Sequence, residues 1–286
     1  MISGSRGIAV IGMHRSGTSA VARGLQALSV YLGNDFLDAQ PENPTGYWED
    51  KGIVDLDERV LKSLALRWDD LRPIDPREFA RWRIWGLRRK AMRYLRDRFL
   101  AQPLWGFKDP RTIRLLPFWR RVLRDCEVDD AYLLVIRNPA SVAASLFSRQ
   151  AMDVENAQRL WLVYMVPFLD RLVEKPLVVV DYDLLMLEPR GQLERIARRL
   201  GIRDGAARTS EVDSFVDEFL DVRLRHTFFS PEDINSESDA GLLTREAYAL
   251  LYELAQDRAE AGQEFWSAWK RIQASWRTRL AWPGTE

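Results

Sequence analysis

The chain of 286 residues is 47% hydrophobic, ample for a substantial core in one large domain or two small ones, and a single domain is expected. Its 42 basic and 42 acidic residues cancel, so no global field draws it to nucleic acid or an acidic membrane, and any anion recognition has to be local. Cys126 is the only cysteine, which excludes an internal disulfide and a cysteine-based metal site. With no signal-peptide core and no run of 18 apolar residues, a soluble, cytoplasmic protein is expected.

Short apolar runs alternate with helical patterns, the signature of an α/β fold built on a parallel sheet. The first strand is predicted at 7–11. A helix starts at Thr18 with Val21, Leu25 and Leu28 at core spacing and stops near Gly33. Residues 34–51 are polar and turn-rich, with Pro41, Pro44 and Gly46, and read as a long functional loop. Helices are predicted at 53–66 and 76–100, a second strand at 104–107 and a third at 131–136. A helix opening at Pro139, another at 154–172, a strand at 177–180, and helices at 190–200 and from 244 into the tail complete the pattern. The recognisable core runs to about 205, with a helical C-terminal extension over 206–286.

Between the first strand and its helix, Gly12 to Ser19 read GMHRSGTS, a GxxxxG loop of the kind that leaves backbone N–H groups aimed at a bound anion. A nucleotide triphosphatase loop carries Lys directly after the second glycine; here that position is Thr18 and the cation is Arg15. That change argues against ordinary ATP chemistry. It leaves a P-loop kinase as the competing class, with Ser19 as magnesium ligand and Asp181 at the end of the fourth strand, and a regulatory nucleotide-binding module as a third reading.

In an open parallel sheet, ligands bind beyond the carboxyl ends of the strands. Three strands lead to a cation there: Arg15, Lys108 and Arg137. Three cations and a phosphate loop on one edge imply a ligand with more than one anionic group. Asp109 and Asn138 each precede a proline and read as helix caps. The helix after Pro139 sets Ser141, Ser145 and Ser148 at i, i+4 and i+7, a hydroxyl-lined face suited to a second phosphate.

The loop GMHRSGTS, the segment Leu133-Leu134-Val135-Ile136-Arg137-Asn138-Pro139 and Ser145 resemble the paired signatures of sulfotransferases that use 3'-phosphoadenosine 5'-phosphosulfate (PAPS). Lys108-Asp109-Pro110 resembles a third motif, of the tyrosylprotein and bacterial branches, and Tyr182-Asp183-Leu184-Leu185 a turn typical of the group. The likeness spans about residues 7–185; the glycine-rich C-terminal signature of the cytosolic branch is not found. It implies a P-loop-type parallel sheet flanked by helices and transfer of a sulfonate group from PAPS, without a metal, to a hydroxyl or amine. A carbohydrate acceptor is preferred by family analogy alone. On this resemblance Arg15, Ser16, Gly17, Thr18 and Ser19 hold the 5'-phosphosulfate, Arg137 and Ser145 grip the 3'-phosphate, and Lys108 meets the bridging oxygen where charge develops.

Four residues come into question as the base. Glu49 is the first choice, in the loop where carboxylate-using relatives keep theirs, with Tyr47 and Trp48 beside it able to exclude water. Asp50 is the fallback, and the bland reading makes both carboxylates caps of the next helix. His14 reads as a packing or phosphate-contact residue of the loop, and His226 as a surface or lid residue. Elsewhere the Arg-rich helix reads as a solvated face, with an anionic acceptor as the sharper alternative. The tail, with Phe265, Trp269, Ile272, Trp276 and Leu280 at helical period, reads as core or homodimer packing ahead of membrane-surface attachment. Most of the eleven tryptophans should be core, some lining a sugar groove.

Overall fold

A computed structural model describes residues 5–40, 43, 45–202, 208–220, 233–234 and 237–280. Its centre is a parallel sheet of four strands: β1 (Arg6–Gly12), β2 (Leu104–Lys108), β3 (Asp129–Ile136) and β4 (Leu177–Asp181). The order is β2-β1-β3-β4. All four predicted strands are present, each within a residue or two of its expected ends.

Side chains along a strand alternate between faces, and the two faces of the sheet build two cores. Ala9, Ile11, Trp105, Phe107, Tyr132, Leu134 and Val179 face one side; Ile8, Val10, Leu133, Val135, Val178 and Val180 face the other. Burial on both faces explains why these strands read as unbroken apolar runs. The second side is covered by α1 (Thr18–Ala27) and α8 (Pro189–Leu200), and by Val212 of α9 (Arg208–Ser214) with the π-turn Phe215–Phe219.

The first side carries α2 (Lys51–Ser63), α3 (Trp82–Arg98), α4 (Leu116–Asp125), α6 (Val154–Met165), α10 (Asp239–Ala255) and α11 (Gln263–Arg279). Two helices start at strand ends: α5 (Pro139–Gln150) after β3, and α7 (Tyr182–Leu187) after β4. In the tail Phe265, Trp269, Ile272 and Trp276 are buried, and Gln273 donates to the carbonyls of Val166 and Pro167. The packing reading holds for α11.

Four predicted helices are shorter than their patterns. The first, expected to run to about Gly33, ends at Ala27 with Leu28 as its cap. The 76–100 pattern begins as a separate turn, Pro76–Ala80, opened by a reciprocal cap between Asp75 and Glu78 and ended by extended Arg81 (ψ 143°), before α3 begins. The 154–172 pattern stops at Met165, two residues before Pro167, which cannot donate to a continuing helix. The tail pattern divides into α10 and α11, the latter starting after Gly262.

The chain moves from β1 outward to β2, then returns to place β3 on the other flank of β1. The sheet therefore reverses direction between β1 and β3, and the crevice at that switch is where an open α/β sheet takes its ligand. Gly12, the last residue of β1, pairs with Val135. Its φ is 151°, and a Cβ there would meet the Val135 carbonyl oxygen at 2.4 Å. Only glycine lets the two strands approach this closely at the point where the loop departs.

Candidate active site

Residues 12–19 leave β1 through two left-handed positions, Arg15 at φ 67° and Gly17 at φ 84°. A Cβ on Gly17 would lie 2.0 Å from the ring of Tyr182, so this glycine is required by both dihedral and space. No side chain caps α1, which leaves the first N–H groups of the helix pointing into a cleft lined by Arg15, Gly17, Thr18, Ser19, Arg137 and Tyr182. An anion is the natural partner of such a helix end.

The second predicted anion group converges on the same loop. Arg15 Nε donates to Ser145 Oγ at 2.8 Å, tying α5 to the loop across 130 residues. Arg137 donates to the Arg15 carbonyl at 3.4 Å, and its guanidinium lies over Tyr182, 4.8 Å from the ring centre. The hydroxyl face of α5 is narrower than expected: Ser141 is buried and Ser148 exposed, so of the three serines Ser145 is the one meeting the loop. Ser16 also turns inward, its hydroxyl buried with no hydrogen bond among the described residues.

Lys108 and Glu49 meet at the other side of α1. Lys108 Nζ donates to Glu49 Oε1 at 2.6 Å, to the Tyr47 carbonyl at 3.0 Å and to Ser19 Oγ at 3.3 Å, an arrangement that employs all three ammonium protons. Both side chains are almost wholly buried. The Glu49 oxygen not bonded to Lys108, Oε2, lies 3.6 Å from Arg111 Nη1. Arg111 in turn grips Asp109 with two 2.9 Å contacts and reaches Glu58 at 3.2 Å. Sequence reasoning passed over Arg111, although it directly follows the Lys108-Asp109-Pro110 motif.

Behind this cluster Asp57 accepts from Trp119 at 2.6 Å and Thr112 at 2.9 Å. Burial, helped by the charge of Asp109, holds its carboxyl well above the ordinary range. Burial also pushes Asp109 up to about 6, against the pull of Arg111. For Arg111, burial opposes the charge, yet Asp109 and Glu49 outweigh it and hold the guanidinium protonated.

The two adjacent carboxylates of the loop part company. Asp50 Oδ1 accepts from the N–H groups of Gly52 and Ile53 and from Tyr94 at 2.6 Å, capping α2. Glu49 makes no cap and faces the cleft instead. Tyr47 lines the cleft, but Trp48 packs away from it, between Phe36 and Phe219 with Arg23 over its ring. Trp48 sits at φ 57°, a conformation that costs about 1–2 kcal/mol for a residue with a Cβ. That ring packing holds it there.

His14 packs against Trp68 and Tyr164, with ring centres 4.5 and 5.7 Å away. Burial, then the nearby charges of Arg111 and Lys108, hold its imidazole well below the usual histidine range. This is the packing reading. His226 lies outside the described residues. Asp181 caps α7 through Asp183 and Leu184 and accepts from Tyr248 with its other oxygen, so its lone pairs serve the fold rather than a magnesium ion.

A family model described as the sulfotransferase family matches residues 7–205. Among solved structures, similarity is found to the sulfotransferase domain of the olefin synthase of Synechococcus PCC 7002, with 19% identity, 86% of this chain and 95% of that one covered, and a TM-score of 0.45. The sulfotransferase domain of the curacin biosynthetic pathway shares 14% identity over 95% of this chain and 98% of its own, at a TM-score of 0.46. A sulfotransferase of Mycobacterium tuberculosis H37Rv shares 14% over 78% and 76%, at 0.41. No curated protein matches the sequence. With a glycine-rich loop after β1, cations at its strand ends and a family match running through all four strands, the chain belongs to the sulfotransferase family.

Proposed function

We propose that the chain transfers a sulfonate group from PAPS to a hydroxyl acceptor. The observation that carries this reading is the convergence of two anion-binding groups on one loop: the uncapped start of α1 with Arg15, and Arg137 with Ser145, joined by the 2.8 Å Arg15–Ser145 contact. A doubly phosphorylated nucleotide fits that donor set, and one with a single phosphate cluster does not use it. When bound, PAPS supplies a sulfonate on a P–O–S bridge, and transfer forms a bond from the acceptor oxygen to sulfur as the sulfur–bridging oxygen bond breaks.

The start of α1, with Arg15, Thr18 and Ser19, orients the 5' end. Lys108, held at the edge of the loop by Ser19 and Tyr47, balances charge at the bridging oxygen. Glu49 takes the acceptor proton on its carboxylate. The ion pair holds both groups at one cleft, 2.6 Å apart, so one buried cluster supplies both the base and the cation. Asn43, Thr45 and Tyr47 line the same cleft as Glu49, and such polar groups suit a hydroxyl-rich carbohydrate.

Calorimetry with adenosine 3',5'-bisphosphate and ADP tests the donor. Tight binding of the first and poor binding of the second is expected. Equal affinity for both would sink the PAPS reading, and magnesium-dependent ATP hydrolysis would replace it with a kinase.

A further inference from the structure

Helix α3 carries an anomaly unrelated to the cleft. Trp82 is 78% exposed and Trp85 53%, whereas every other described tryptophan is buried or half-buried. At 3.6 residues per turn, Trp82, Trp85, Arg89, Arg93 and Arg96 share one sector of about 80°. They lie opposite the buried Ile84, Ala91 and Leu95. The exposed charges of α3 are Arg83, Arg89, Lys90, Arg93 and Arg96 against the single acid Asp97. Arg83 and Arg89 lie over the two indoles, 5.4 and 5.1 Å from the ring centres. The chain is neutral as a whole, so this concentration of one sign on one helix face is local.

We propose that the outward face of α3 is a docking surface for an anionic lipid bilayer, with Trp82 and Trp85 seated at the headgroup level. Indoles prefer that depth because one edge is apolar and the N–H stays wet. Flanking arginines meet lipid phosphates and sustain local attraction to an anionic leaflet. The shape of the face favours a bilayer over an acidic glycan: a helix is convex, and sugars are taken in grooves. A cavity does open beside Trp85, lined by Phe79, Ile84, Pro117 and Phe118. At about 60 Å³ it has room for a few waters and none for a sugar ring. Indoles on a convex cationic ridge can instead dip into a flat, yielding surface.

The test is sedimentation of the full chain with vesicles of phosphatidylcholine alone or mixed with phosphatidylglycerol. Binding is expected to the mixed vesicles only, with a blue shift of tryptophan emission, and to weaken as salt is added. Trp82→Ala/Trp85→Ala should lower the partition coefficient roughly 10-fold or more, and Arg89→Glu/Arg93→Glu should abolish binding. All four side chains are exposed, so folding and nucleotide affinity of these variants should be unchanged. Absence of binding to mixed vesicles, or binding that the tryptophan pair does not alter, overturns the proposal. So does binding to heparin oligosaccharides that depends on the tryptophans while vesicles are ignored; the face would then read a glycan.

Discussion

Replacing Lys108 by Met separates what the ion pair does for the fold from what it does for turnover. Lys108 is 2% and Glu49 6% exposed by side chain, so the pair sits where water screens little. Removing one partner of a buried pair costs about 3–5 kcal/mol, because the other charge is left uncompensated. Here Arg111 remains 3.6 Å from the stranded Glu49, which places the expected loss near the lower end, about 3 kcal/mol. At roughly 2–4 °C per kcal/mol for a large domain, the melting temperature should fall by about 6–12 °C. The double variant Lys108→Met/Glu49→Gln removes both charges and should recover about half of that loss, since an apolar replacement of the whole pair is often near neutral. Turnover should not recover. Lys108→Met should lower kcat by about 100-fold or more, on the scale of losing one preorganised oxyanion donor, with nucleotide affinity changed less. Denaturant titration and initial rates on the same preparations give both halves of the comparison. A double variant no more stable than Lys108→Met would refute the coupling, and a Lys108→Met enzyme with full kcat would reduce Lys108 to a structural residue.

Three further outcomes follow from the geometry. Arg137→Ala should remove a charge-assisted contact worth about 1.5–3 kcal/mol, narrowing the calorimetric gap between adenosine 3',5'-bisphosphate and ADP; an unchanged gap would take Arg137 out of the second phosphate site. Gly17→Ala forces a Cβ to 2.0 Å from Tyr182 at φ 84° and should abolish nucleotide binding, whereas Tyr182→Ala added to it relieves only the clash and should restore binding in part. Burial, with Asp183 as a neighbouring charge, pushes Asp181 up to about 6. The folded state therefore holds a proton that the unfolded chain, near 4, has released. The contribution of Asp181 to the unfolding free energy should accordingly fall as pH rises from about 4 to about 6, by up to ~3 kcal/mol, and level off above; Asp109, also pushed up to about 6, adds a slope of the same sign. Asp181→Asn, which can still accept at the cap, should reduce that slope in denaturant titrations across the range and leave the share of Asp109; an unaltered slope would assign all of it to other groups.

The sheet was legible because both of its faces are buried, so each strand stood out as an unbroken apolar run between turn residues. The glycine loop after β1 was legible for a related reason: Gly12 and Gly17 occupy positions that only glycine can fill, and such constraints survive in sequence as spacing. Helix ends were less so. Periodicity at 76–100 and 154–172 continues across breaks that fall at Arg81, extended at ψ 143°, and just ahead of Pro167, which lacks an N–H. α4 escaped notice although Leu116, Trp119, Val122 and Leu123 are amphipathic, since only ten residues carry the pattern. Counted by composition, Trp82 and Trp85 group with the core tryptophans, although their helical spacing sets them in the arginine sector, away from Ile84, Ala91 and Leu95.

What sequence could not reveal about the site is which charges face one another. Glu49 and Asp50 are chemically near-identical neighbours, and their division of labour follows from three groups distant in sequence. Tyr94 reaches Asp50 from α3, Lys108 arrives at Glu49 from the end of β2, and Arg111 closes on it from the turn beyond. Glu49→Gln and Asp50→Asn therefore make an informative pair. Glu49→Gln keeps an oxygen for Lys108 but removes the carboxylate's charge together with its capacity to take a proton, so it should cost stability as any one-sided break of the buried pair does, and sulfonation should fall about 100- to 10,000-fold while nucleotide binding survives. Asp50→Asn can still accept from Gly52 and Ile53, and should lose part of the cap, worth about 0.5–2 kcal/mol, with turnover retained. If instead Asp50→Asn abolishes sulfonation at unchanged stability and Glu49→Gln does not, the carboxylate serving as base is the one capping α2. If both variants keep turning over, the proton leaves by a group outside this loop.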